Sequence, residues 1–180
     1  MVSLVLKMSI SLDGYVAPPD RSGAWKTMGS TADSRDWTLE TVSSAGAILM
    51  GATAFTEMAP QWPSASGPFA RPMNDLPKVV FSNSLTSVDW GPTTIATGDL
   101  ADTVTRLKKE DADGYLLALG GARFVRSLVE ADLIDEYRLV VHPVVLGAGE
   151  RIFSAPLTLA PISTTAFGGG IVAHVFTAHP

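Results

Sequence analysis

No cysteine occurs in the 180 residues, which excludes disulfides and every metal site built on thiolates. Charge is scarce as well: 17% of residues are charged against 46% hydrophobic, and the formal net charge is -5. With no run of Lys and Arg to neutralise a phosphate backbone, nucleic acid is not an expected partner. No apolar stretch is long enough to cross a bilayer. The N-terminal MVSLVLKMSISLDGY is interrupted by Lys7 and alternating serines, and it lacks the basic start and cleavage site of a signal peptide. The expectation is a cytoplasmic protein without membrane contact. His142, His174 and His179 have no metal-type spacing, so no metal is expected. The length suits one domain, residues 1–180, able to bury a core unaided. The high apolar fraction leaves surface for a subunit interface, and a homodimer is expected.

What is present begins with GYLLALGGARFVRSLVEADLIDEYRLVVHPVVLGAGERIF, Gly114 to Phe153. Tyr115 to Leu119 is a continuous apolar run stopped by Gly120 and Gly121, the pattern of a strand buried on both faces. From Ala122 the apolar residues Phe124, Val125, Leu128, Val129 and Leu133 fall at helical spacing, with Arg123, Arg126 and Glu130 left to water. Strand, two glycines and helix N-terminus together form an anion-binding device, because the first-turn N–H groups have no intrahelical acceptor. A bare tight turn is the plain alternative for Gly-Gly. Its place between a buried strand and an amphipathic helix favours the phosphate reading.

Elsewhere, strands are expected at Val2 to Leu12, Ala47 to Met50, Lys78 to Phe81 and Thr93 to Thr97. Helices are expected over Asp33 to Ser44, with Thr31 or Asp33 as N-cap, over ATAFTEMA after Gly51, and over Asp99 to Glu110. Gly51 therefore repeats the strand, glycine, helix device. Gln61 to Leu76 reads as an irregular loop, and Thr158 to Thr165 pairs with Ile171 to Thr177 around Gly168 to Gly170. Strands alternating with helices before an all-strand end give an α/β class, with a mostly parallel sheet and antiparallel C-terminal strands. Ligands in such sheets sit at the carboxyl ends of the strands.

Five motifs in order, SLDGYVA (11–17), LMGATAF (49–55), LPKVVFSNSL (76–85), LGGARFVRSLVEADLIDEY (119–137) and HPVVLGAGERIF (142–153), resemble the dihydrofolate reductase-like superfamily. They are most similar to the riboflavin-biosynthesis reductase domain of the RibD C-terminal type. The resemblance implies a three-layer α/β/α fold and a homodimeric NADPH-dependent reductase that transfers a hydride to a small heterocyclic or carbonyl substrate. The known member acts on a phosphoribosylamino-pyrimidine. In the family the second turn reads Gly-Arg-x-Thr-Tyr, its Arg meeting the 2′-phosphate of NADPH. Here Gly51, Ala52, Thr53, Ala54 and Phe55 stand instead, so the charge-assisted contact is gone and NADH is also possible.

Carried over by the same resemblance, the cofactor-binding candidates are Gly51, Ala52, Thr53, Ser82, Gly120, Gly121, Ala122 and Arg123. Asp36 falls near the carboxylate that orients a pterin in folate reductases. Asp13, in the SLDGY turn, is the second catalytic candidate, with local capping as its plain alternative. His142 reads as a core or interface histidine. Two other readings stay open: a non-catalytic nucleotide-binding dimer of the same fold, and a true dihydrofolate reductase.

Overall fold

Eight strands form one sheet in the order β4-β3-β2-β5-β1-β6-β8-β7. They are β1 (Leu4–Ser11), β2 (Ala45–Gly51), β3 (Lys78–Phe81), β4 (Thr93–Ala96), β5 (Tyr115–Gly120), β6 (Glu136–His142), β7 (Ala160–Ala166) and β8 (Val172–Thr177). The structure, a computed structural model, describes residues 1–110 and 113–178; His179 lies outside them. The first six strands pair in parallel, while β8 runs antiparallel to β6 and β7 antiparallel to β8. The central strands β2 and β5 are the apolar runs of the sequence, as burial on both faces requires. Both faces carry helices. On one, α1 (Ala32–Ser43), α2 (Ala52–Met58) and α3 (Ala70–Asp75) bring Val42, Ala54, Phe55 and Met73 against Val5, Ile48, Met50 and Leu117. On the other, α4 (Leu100–Lys109) and α5 (Ala122–Glu130) bring Val104, Leu107, Val125 and Leu128 against Leu4, Leu6, Met8 and Leu116. This is the expected three-layer α/β/α arrangement.

The expected loop from Gln61 to Leu76 is corrected: it contains a 3-10 turn at Trp62–Ser64 and the helix α3. Pro72 concealed that helix, yet Pro is tolerated in a first turn where no intrahelical N–H bond is lost. Met73 from α3 is 2% exposed in the core. The first helix begins on Thr31, where a capping box links Thr31 and Ser34 in both directions. Among the described residues no helix is long and apolar enough to cross a membrane.

Two features of the sheet place the site. From β2 the chain moves by α2 and α3 to β3 on one side, whereas from β5 it moves by α5 to β6 on the other. The β2–β5 boundary is thus the topological switch point, where a crevice opens beyond the carboxyl ends. In addition, the register jumps from Leu49 opposite Ala118 to Met50 opposite Gly120. Leu119 is the extra residue, a bulge that sets Gly120 and Gly121 beside Met50 and Gly51.

Candidate nucleotide-binding cleft

A cavity of about 440 Å³ lies beyond the carboxyl ends of the strands at this boundary, within the size range of small-molecule sites. Its walls come from the start of α2 (Gly51, Ala52, Thr53), the turns after β3 and β4 (Ser82, Asn83, Gly98), and the start of α5 (Gly121, Ala122, Arg123, Phe124), with Arg21 and Glu150 from loops. Seven of the eight residues named from the resemblance line it; Gly120 is the exception, lying one residue back in β5.

Local geometry explains the shape. Gly121 caps α5 with φ +83 and no side-chain hydrogen bond to the first-turn amides. That φ is costly for any residue with a Cβ. A Cβ on Gly51 would stand 2.8 Å from Phe124 Cβ, so glycine there lets α5 pack over the end of β2. Ser82 Oγ accepts from the Ser84 and Leu85 amides at 3.1 and 2.9 Å, which folds the turn after β3 and leaves the hydroxyl proton to be donated. Arg123 is exposed on the first turn of α5, and its side chain has no hydrogen bond or ion pair among the described residues. Donors dominate these walls: backbone amides, three hydroxyls, an amide and two guanidinium groups, against the one carboxylate of Glu150. They suit the phosphates and ribose of a dinucleotide.

The two carboxylates named as catalytic candidates lie outside this lining. Asp36 is exposed on α1. Asp13 closes a long-range clamp: Oδ1 accepts from Ser11 Oγ at 2.7 Å and from the Leu146 amide at 3.0 Å, and Oδ2 accepts from the Gly147 amide at 2.7 Å. These bonds, led by that from Ser11, hold its carboxyl down at about 2. The alternative reading of Asp13 as a cap for local N–H groups is corrected: the two amides it accepts from are 133 and 134 residues away, and its local partner is the Ser11 hydroxyl.

Sequence reasoning missed Lys7 and Lys26 and their setting. Lys7, half-buried in β1, has no hydrogen bond or ion pair among the described residues. Burial, and secondarily the nearby Lys26, push its ammonium down to about 8. Lys7 was visible only as an interruption in an apolar strand, which was itself the signal. On the same face, His142 is 3% exposed with Nε2 unpartnered among the described residues, and its ring meets Trp25 edge-on at 5.3 Å. Trp25 Nε1 is also buried and has no hydrogen-bond partner among the described residues. Burial holds His142 below the usual histidine range, with Lys7 and Lys26 acting in the same direction. The loop from Ala17 to Gly29 therefore runs from the cavity, at Arg21, to this cluster of nitrogen donors, at Trp25 and Lys26. It is anchored by the Ala17–Glu150 bridge.

Comparison with known proteins agrees with this architecture. Over 181 residues the chain is 25% identical to YyaP, an uncharacterised Bacillus subtilis protein, covering 96% of this chain and 93% of that one. A solved structure from Shewanella sp. PV-4 superposes with a TM-score of 0.80 at 20% identity over the whole of both chains. The diaminohydroxyphosphoribosylaminopyrimidine deaminase/5-amino-6-(5-phosphoribosylamino)uracil reductase of Thermotoga maritima superposes with a TM-score of 0.71 at 17% identity, over 98% of this chain and 56% of that one. The sequence profile of the RibD C-terminal domain matches residues 2–173, and with its glycine junctions and sheet order the chain belongs to that family.

Proposed function

We propose that the chain is a NAD(P)H-dependent reductase acting on a small oxidised heterocyclic or carbonyl substrate. The observation that carries this reading is the convergence of two strand, glycine, helix junctions on one donor-lined cavity at the switch point. In it, Gly121, Ala122 and Arg123 hold the pyrophosphate, while Thr53, Ser82 and Asn83 hold the adenosine half. When bound, the nicotinamide supplies a hydride. The chain's own contribution is orientation and a proton, since hydride transfer asks little else of a protein. For the proton we propose Lys7 Nζ, which lies outside the cavity lining on the β1 face shared with His142 and whose ammonium, near 8, is charged yet labile at neutral pH. Asp13, held near 2, has no proton to give there. Asp36 remains a candidate for orienting the substrate from the solvent side of α1.

Titration of nicotinamide fluorescence with NADPH and NADH tests the cofactor reading. Saturable binding is expected, and Gly121→Val should abolish it while the fold survives by circular dichroism. If the parent protein binds neither cofactor, the reductase reading fails. For the proton, Lys7→Met is expected to lower turnover by about a hundredfold, the lower end of acid-base contributions. Asp36→Asn should chiefly raise KM. Dihydrofolate turnover that Asp36→Asn abolishes would instead favour the folate-reductase assignment.

A further inference from the structure

The turn after β2 presents no cation to the cavity, because Ala52 and Thr53 occupy the start of α2. One reaches the same wall from elsewhere. Arg21 lines the cavity with Ala52 and Thr53, and its Nη2 lies 2.9 Å from Glu57 Oε1. Thr53 and Glu57 are four residues apart and so share one face of α2, along which the Arg21 side chain extends. The ion pair is one-pronged: Nε and Nη1 donate no hydrogen bond among the described residues. Those donors keep the fork geometry that reads a phosphate in two bonds. The backbone that delivers them is fixed, since the Arg21 amide donates to Pro18 O at 2.9 Å and Ala17 is bridged to Glu150. Arg21 also holds φ +59, a conformation uncommon for a residue with a side chain.

Resting on the nicotinamide-cofactor reading above, we infer that Arg21 supplies the contact to the adenosine 2′-phosphate and thereby selects NADPH over NADH. Glu57 parks the guanidinium beside the space that Ala52 leaves open. Arg123, on the first turn of α5 next to Gly121, faces the part of the cleft shared by both cofactors and does not discriminate.

Dissociation constants for NADPH, NADH, adenosine 2′,5′-bisphosphate and 5′-AMP, measured on the parent protein and on Arg21→Gln and Arg123→Gln, test this. Arg21→Gln is expected to weaken NADPH and the bisphosphate by about tenfold or more, the loss of one charge-assisted phosphate contact, with NADH and 5′-AMP within about twofold. Arg123→Gln should weaken NADPH and NADH alike. The inference is overturned if Arg21→Gln leaves NADPH unchanged or weakens both dinucleotides equally, or if Arg123→Gln alone removes the preference. A parent protein that binds NADPH and NADH equally well overturns it while sparing the reductase reading. Binding of neither dinucleotide overturns both.

Discussion

Asp13 illustrates how a single side chain joins distant parts of this chain. Its two oxygens hold the Leu146 and Gly147 amides, so the turn after β1 and the loop after β6 move as one. Asp13→Ala should speed hydrogen exchange at those two amides well before it affects the sheet. The pH dependence has a definite sign. A carboxyl held near 2 when folded and at 3.8 otherwise contributes stability that is complete above the unfolded value. That contribution is lost as pH falls from 3.8 through 2. Acid titration followed by near-UV dichroism should show this component vanish in Asp13→Asn. At the residue scale the sequence was only partly legible. Gly121 and Gly51 were readable because a strand and a helix flank each of them. The Asp13 clamp and the Arg21–Glu57 pair were not, because they depend on which loops the sheet order brings together.

Among the elements, the central parallel strands β2 and β5 were the clearest in the sequence, since burial on both faces leaves no charged position to blur the pattern. The least readable was α3, six residues long with a proline inside it. Its weight comes from tertiary packing: Met73 belongs to one buried core cluster with Trp90, Phe55 and the strand residues Ile48, Met50 and Val80. Met73→Ala is therefore expected to cost about 2–5 kcal/mol by urea denaturation, the range for emptying a buried large side chain. Nearby, Lys78 is 1% exposed in β3, donating to Leu76 O at 2.8 Å and Asn74 O at 3.2 Å, with its ammonium 4.7 Å from the Trp90 ring centre. An apolar-strand reading found the strand, but gave no hint that its first residue closes the loop beneath Trp90.

For the molecule as a whole, the depressed lysines set the alkaline side of its stability. Lys7 and Lys78 both stand near 8 when folded against 10.5 otherwise. Between those values the unfolded chain binds more protons than the folded one, so stability should rise from about pH 8 toward 10.5. Thermal melts across that window should show the rise shrink in Lys7→Met. Activity should run the other way, falling above about pH 8 as Lys7 loses its proton, so optimum pH and maximal stability should separate. Leu12 and Val145 are 67% and 66% exposed on adjoining loops, the Leu12 amide donating to Val144 O at 2.8 Å. We expect a dimer built over this edge, and Leu12→Glu with Val145→Glu should give a monomer by light scattering.

The bulge at Leu119 reaches further than its own strand. Because side chains alternate along a strand, one extra residue is a phase shift, and everything downstream inherits it. A chain with Leu119 deleted should keep the first half of β5 in register with β1 while drawing the start of α5 back by roughly 3.3 Å. Such a protein is expected to melt as one cooperative unit and yet bind no dinucleotide. Insertions and deletions at this one position would then silence the cleft while leaving the fold intact, a cheap route by which relatives of the same shape part company in function.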